Sequence, residues 1–244
     1  MSEIFSFLSS LSLWGSIVNC LAVIVGATAG LIVKKIMGKG AEGGTMSRVS
    51  DALMNGVSLC VLLIGVSGAI KTQNMIIVIV SMVIGTAIGE LCDLDKRVTA
   101  LGKAIESKTG GRFGDITQGF VSASLLFCVG AMTIVGSLNS GLSGDHSMLY
   151  TKSLLDLISA FAFASALGFG VLFSAGFVLV FQGSITLLAV WIAPLLSDAA
   201  VLEMTAVGSL LIVGLALNML GITKLKIMNH MPAVFLPMIF FLFI

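Results

Sequence analysis

Ionisable side chains inside apolar stretches are the first candidates for chemistry in this chain of 244 residues. Lys152 and Asp156 are four residues apart, so in a helix they share one face and can form an ion pair. Alternatively, Asp156 binds a cation or a proton near the outer mouth of a pathway, since charges at membrane depth are costly and commonly functional. Glu90, which closes another apolar run, is the second candidate, whereas Asp93 and Asp95 just beyond it mark the water boundary.

Amide side chains form the second group of candidates. An unpaired amide in hydrocarbon costs several kcal/mol, so each of them needs a partner. Gln182 has Thr186 one turn further along the same helical face. These groups either line a polar pathway or only join helices by hydrogen bonds, at about 0.6 kcal/mol each. Both alternatives stand for Gln182, and helix packing is favoured for the others. The amides are Asn19, Asn55, Gln118, Gln182 and Asn218.

Signals for enzyme, metal or cofactor chemistry are missing from the sequence. His146 and His230 have no second ligand at metal-binding spacing. No nucleophile elbow, P-loop or Rossmann fingerprint stands in a suitable context. The cysteines lie singly in apolar runs and are expected to be structural thiols; they are Cys20, Cys60, Cys92 and Cys128. We therefore expect no enzyme, no metal and no cofactor.

The elements that must position these residues are membrane-spanning helices. A mean hydropathy of +1.13, with 57% hydrophobic and 10% charged residues, lies outside the range of soluble domains. A spanning helix needs roughly 20 apolar residues, and an open strand would leave backbone groups unpaired in lipid. The sequence predicts a single all-α domain over 1–244, a helix bundle of seven or eight spans. The predicted spans are 14–36, 52–70, 74–92, 115–138, 153–172, 175–197 and 204–222. The last run, 229–244, contains two prolines and is either an eighth span or a re-entrant segment.

Lysine and arginine positions predict the orientation. In an alternating topology eleven of the 13 Lys and Arg residues fall on one side, and only Lys71 and Lys152 fall on the other. This predicts a cytoplasmic location for the basic connections and an outside N-terminus. The longest connection, 93–114, has an apolar face opposite its charges, so it lies either on lipid or against the bundle. The net charge of +1 and the lack of a basic aromatic patch argue against nucleic acid as a partner.

Small-residue pairs and a weak internal similarity indicate how the spans are arranged. Gly26/Gly30 and Gly85/Gly89 are GxxxG pairs, which favour close helix packing inside the bundle and also make a homodimer plausible. Similar strings begin near Asn55, Gln118 and Gln182, about 64 residues apart, which predicts a repeated helical hairpin.

Several strings together resemble a known family. They are GVSGAIK (65–71), the apolar run 120–138, GLSGDHSMLYTKSLLD (141–156) and the run 170–189. The chain resembles the YqgA/YdfK-type family of bacterial inner-membrane proteins, of unknown function, from Gly15 to about Pro232. The resemblance implies a multi-pass plasma-membrane protein and supplies no activity. The positions that match its most distinctive strings are Gly144, Asp145, Lys152, Asp156, Gln182 and Gly183.

Two functions remain open on these grounds. The first is a transporter or channel for a small solute or ion, with a slight preference for a cation or a proton-coupled substrate. In it, Gln182, Thr186 and Asn218 contact the substrate, and Asp156 or Glu90 handles the cation or proton. The alternative is a non-transporting assembly or regulatory protein that binds a partner through 93–114.

Overall fold

The protein is all-helical in the part of the chain that the structure, a computed structural model, describes: residues 11–38, 45–100 and 116–243. No strand occurs in these ranges, so the predicted all-α class is confirmed. The eight long helices are α1 (Trp14–Gly38), α2 (Thr45–Ala69), α3 (Met75–Cys92), α4 (Ile116–Cys128), α5 (Ala131–Ser143), α6 (Ser147–Leu167), α7 (Gly170–Leu187) and α8 (Asp198–Met219). Shorter helical segments are Ala189–Ile192, Ala193–Leu195, Ile227–Phe235 and Leu236–Phe240.

Four of the described helices are long and apolar enough to cross a membrane. They are α1 over Trp14–Lys35, α3, α7 and α8, and the bent pair α4 and α5 would make a fifth crossing. Two shorter apolar segments, Met54–Ala69 and Ile227–Phe240, accompany them. The described residues thus contain four or five candidate membrane spans, and the count of seven or eight spans stays a prediction.

Glycines with positive φ set two helix boundaries that the hydropathy pattern misplaces. The predicted single span 115–138 is broken between α4 and α5, which meet at 63° where Gly130 has φ 146°. The boundary predicted at 173–176 lies instead at Gly168, with φ 85°, and residues 173–176 are helical within α7. Side chains with a Cβ rarely adopt this region, so the chain turns at these glycines.

The first GxxxG pair joins α1 to α6. A Cβ at Gly26 would lie 2.2 Å from the Leu157 carbonyl oxygen, and one at Gly30 would lie 2.3 Å from that of Phe161. Further along, the Lys34 ammonium donates to the Ala166 carbonyl at 2.9 Å. The contacts advance together along both helices, so α1 and α6 are parallel and in close backbone contact.

The second GxxxG pair joins α3 to the C-terminal segment. A Cβ at Gly85 would lie 2.2 Å from the Ala233 Cα, and one at Gly89 would lie 1.9 Å from the Asn229 carbonyl oxygen. The two elements are antiparallel, as are α2 and α8, where Gly65 lies against Val213. Residues 227–235 form a 3-10 helix rather than the α-helical span that we predicted, with Pro232 inside it.

The structure describes only the first part of the predicted amphipathic connection 93–114. Residues 94–100 are helical, as predicted, and the remainder lies outside the described residues. The N-terminal residues 1–10, which precede the first predicted span, also lie outside them.

Candidate functional site

A buried polar cluster joins α1, α6 and α7. Lys152 Nζ donates to both Asp156 carboxylate oxygens, at 2.8 and 2.6 Å. Asn19 Nδ2 donates to Asp156 Oδ2 at 2.9 Å and to Gln182 Oε1 at 3.2 Å. At most 6% of the surface of any of these four residues is exposed. The cluster therefore holds one positive and one negative charge away from solvent.

Helix geometry explains why these side chains converge. The spacing of four residues places Lys152 and Asp156 on one face of α6, as the sequence predicted. Contacts show that α7 runs antiparallel to α1, because Asn19 meets Gln182 and Ser16 meets Thr186, whose hydroxyl oxygens are 3.5 Å apart. One face of each helix thus contributes to the cluster.

Two polar atoms of the cluster have no hydrogen-bond partner among the described residues. They are the acceptor Asn19 Oδ1 and the donor Gln182 Nε2, both on side chains with no exposed surface. Unsatisfied amide atoms are costly inside a low-dielectric region. An acceptor and a donor beside a neutralised ion pair can together bind a small group that both donates and accepts, such as a water molecule.

A second hydrogen-bonded group lies beyond the cluster, towards the start of α1 and α6. The Ser140 hydroxyl donates to the Ser12 carbonyl at 2.7 Å, so its oxygen accepts from His146 Nδ1 at 2.8 Å. Both Ser140 and His146 are buried. Next to them, the Ser147 amide and hydroxyl donate to Asp145 at the start of α6 and lower the pKa of that carboxyl. These hydrogen bonds order the chain at the start of α6.

Glu90, a predicted pathway residue, belongs to a different group at the C-terminal end of α3. It accepts from Asn229 Nδ2 and from Lys226 Nζ, the latter at 3.1 Å. The hydrogen bond and charge of Glu90 raise the pKa of Lys226. Nearby, the Thr86 hydroxyl and His230 Nδ1 are 2.7 Å apart, and Asn229 Oδ1 also accepts from the Asp95 amide at 2.7 Å.

The three remaining predicted residues also lie outside the buried cluster. Asn218 stabilises the turn after α8: its Nδ2 donates to the Leu225 carbonyl and its Oδ1 accepts from the Leu225 amide and the Thr223 hydroxyl. Asn55 and Gln118 are exposed on α2 and α4. The structure therefore unites Asn19 with four other predicted residues, Lys152, Asp156, Gln182 and Thr186, and separates from them Glu90, Asn55, Gln118 and Asn218.

Glu203 is a buried carboxylate that the sequence analysis missed. Only 2% of its surface is exposed, and it accepts from the backbone amides of Gln73 and Asn74 and from the Thr72 hydroxyl. These donors lie at the start of α3, where an anion is favourable. Its position directly before the predicted span 204–222 was the available signal. Residues 198–203 are in fact part of α8, which buries the carboxylate.

No group of three or more His, Cys, Asp or Glu side chains in the described ranges could hold a metal ion. The four cysteines are not disulfide-bonded, with Cys20 and Cys128 buried and Cys60 and Cys92 exposed. The ammonium, carboxylate and amide groups of the buried cluster are suited to hydrogen bonding, charge compensation and proton exchange.

Comparison with known proteins places this chain in a family. A family profile described as "Protein of unknown function (DUF554)" matches residues 14–242. The chain belongs to the DUF554 family. The matched region contains every residue of the buried cluster, so the cluster lies within the family's common region.

Two relatives of this DUF554 member cover most of its length. The uncharacterized membrane protein YdfK of Bacillus subtilis (strain 168) is 30% identical over 231 residues, which are 92% of this chain and 94% of that protein. The uncharacterized protein YqgA of Escherichia coli (strain K12) is 30% identical over 229 residues, with the same coverage. These matches confirm the predicted family resemblance. No solved structure matches the chain.

Proposed function

We propose that this DUF554 protein is a transporter or channel that moves a small cation, a proton or a proton-coupled solute across the membrane. The observation that carries the proposal is the buried cluster of Lys152, Asp156, Asn19 and Gln182. It combines an ion pair on α6 with unsatisfied amide atoms on α1 and α7, which are both candidate spanning helices.

A purely structural cluster would have to offset the cost of burying two charges. A buried ion pair is often no more stable than apolar side chains of the same volume, so its presence is weak evidence for a stabilising role. Ionisable groups within membrane segments are instead typical of ion pathways and proton relays. A proton transferred from Lys152 to Asp156 would leave both groups neutral. Alternatively, while Asp156 stays ionised, a passing cation could displace the Lys152 ammonium from its carboxylate.

The broken α4–α5 pair is the second feature that supports transport. Discontinuous helices that line substrate sites are common in secondary transporters, where one half moves against the other. Here the break at Gly130 occurs in α4–α5, and both helices pack against α7, which contributes Gln182.

We further propose eight crossings of a bacterial plasma membrane, with the N-terminus outside. The crossings would be α1, α2, α3, the α4–α5 pair, α6, α7, α8 and the C-terminal segment 227–240. The parallel contact of α1 with α6 and the antiparallel contacts of α2 with α8 and of α3 with residues 227–235 agree with such alternation. In this arrangement the buried cluster lies nearer the outside, and Glu90 lies at the cytoplasmic end.

Flux measurements on the purified protein in liposomes test the proposal. Vesicles loaded with a pH-sensitive dye report proton movement, and labelled sodium and rubidium report cation movement, each under an imposed gradient. We expect flux above that of empty vesicles, reduced at least tenfold in Asp156→Asn and in Gln182→Leu. Ser184→Ala, an exposed position on α7, is the matched control and should retain full flux.

A lack of proton or cation flux under any gradient, in wild type and in folded Asp156→Asn alike, would refute this function. The alternative, an assembly or regulatory protein, would then be tested by co-purification from native membranes. A stoichiometric partner that is lost on deletion of residues 96–112 would support it.

A further inference from the structure

A second polar site lies at the other end of the bundle. A cavity of about 540 Å³ opens between the helical residues 94–100, α4, the end of α8 and the turn that follows α8. This volume is within the range of small-molecule sites, roughly 300–1,000 Å³. The cavity contains none of the buried-cluster residues, so it is a separate site that does not depend on the function proposed above.

Ser122 indicates that the cavity receives a polar ligand. It lines the cavity, has no exposed surface, and its hydroxyl has no hydrogen-bond partner among the described residues. The α4 residues of the lining run from Thr117 to Ser122, so at 1.5 Å per residue the cavity follows that helix for about 8 Å. The far end of this wall carries the Ser122 hydroxyl.

Charge indicates which ligand would fit. Asp95 is the one charged residue among the described residues that line the cavity, and the other polar residues of this lining carry hydroxyl or amide groups. The nearby cation Lys226 is hydrogen-bonded to Glu90, although its charge also acts on Asp95. Lys96 and Arg97 follow Asp95 on the same helix, are exposed and do not line the cavity.

Apolar and flexible side chains form the rest of the wall. Leu215, Met219 and Met228 are among them, and methionine adapts readily to ligands of different shape. One carboxylate, several hydrogen-bonding groups and this apolar surface suit a molecule with a single positive charge and a short hydrocarbon body.

We propose that this cavity is a binding site for a small organic cation, an amine or quaternary ammonium compound, with Asp95 as the counter-charge and Ser122 at its inner wall. Thr99 on the same helix as Asp95 supplies a further hydroxyl to the site.

Charged thiol reagents test both parts of the proposal. In a variant whose four cysteines are replaced by serine, Ser122→Cys is treated with a trimethylammonium methanethiosulfonate and with its sulfonate analogue, in membrane fragments open on both faces. Ser124→Cys is the matched control, because Ser124 is a buried serine on the same helix that does not line the cavity. A small neutral thiol in solution, such as 2-mercaptoethanol, calibrates the intrinsic reactivity of the two reagents.

We expect Ser122→Cys to react and Ser124→Cys not to react. Relative to that free thiol, the cationic reagent should be preferred roughly fivefold, because one carboxylate about 8 Å away in water attracts the cationic reagent and repels the anionic one. Asp95→Asn should abolish the preference, and choline, but not glucose, should slow the labelling. Equal labelling of both serine positions, no labelling of Ser122→Cys, or a preference unaffected by Asp95→Asn and by choline would each overturn the proposal.

Discussion

The neutrality of the buried cluster depends on two residues, Lys152 and Asp156, that compensate each other. Removing one partner of a buried ion pair leaves an uncompensated charge, which typically costs about 3–5 kcal/mol, whereas removing both costs much less. Asn19 cannot replace the lost charge, because an amide carries none.

We therefore predict that Lys152→Met lowers the free energy of unfolding by about 3–5 kcal/mol and that adding Asp156→Leu restores much of the loss. Unfolding of the purified protein in mixed micelles measures both effects. Lys71→Met, the same change at an exposed position, is the control and should change the value by less than about 0.5 kcal/mol. Equal losses in the single and double variants would contradict the role of the pair.

Glu203 is expected to matter for folding rather than for transport. Glu203→Leu removes the acceptor for the Gln73 and Asn74 amides and should cost about 1–3 kcal/mol of unfolding free energy. Glu203→Gln keeps one acceptor oxygen and should cost less. Asp198→Asn, at an exposed position on the same helix, is the control, and a loss of flux at unchanged stability would refute this assignment.

At the scale of elements, close backbone contacts determine which helices pair. Both GxxxG pairs are used inside the chain, as the sequence analysis favoured.

The aligned positions of the predicted repeat stand at different distances from the starts of their helices. Gln182 is twelve residues into α7, which begins at Gly170, whereas Gln118 is two residues into α4, which begins at Ile116. The repeat therefore stays a prediction.

Gly89→Ala tests the contact of α3 with the C-terminal segment. Its Cβ would overlap the Asn229 carbonyl oxygen, so we expect a loss of about 1–3 kcal/mol of unfolding free energy as the elements separate. Gly56→Ala on α2 meets nothing within 4 Å and should leave stability unchanged or slightly higher. Similar behaviour of the two variants would show that the close contact does not form.

Gly130→Ala tests the break between α4 and α5. Alanine is strained at φ 146°, which should cost about 1–3 kcal/mol and favour a straighter helix. Spin labels at Thr117 and Leu142 would then report a longer distance than in the parent. Gly176→Ala, a helical position with open space around it, is the control. An unchanged distance and stability would argue against the observed bend.

At the scale of the whole molecule, the proposed topology separates two positions that can be labelled. With the other cysteines replaced, Asp145→Cys should react with a membrane-impermeant maleimide in intact cells, because the start of α6 is proposed to face outside. Native Cys92, at the end of α3, should react only after the membrane is opened. Labelling of Cys92 in intact cells would show that the orientation or the number of crossings differs from the proposed one.

The sequence alone determined the all-helical membrane class, the family and the ion pair within α6, because hydropathy and spacings of four residues are local properties. It misplaced the boundary before α7 and missed the break at Gly130, because backbone torsions at single glycines do not alter the average hydropathy of a span. It also could not distinguish Gln182, which contacts Asn19, from Asn218, which stabilises a turn.

Only the tertiary structure decided which distant side chains meet. Asn19 and Gln182 are 163 positions apart and come together because α1 and α7 are antiparallel neighbours. Glu203 and the start of α3 meet across 129 positions for the same kind of reason. The cavity at Ser122 likewise depends on how separate helices diverge at one end of the bundle. Such contacts follow from helix directions and packing, which a linear pattern of apolar and polar residues does not specify.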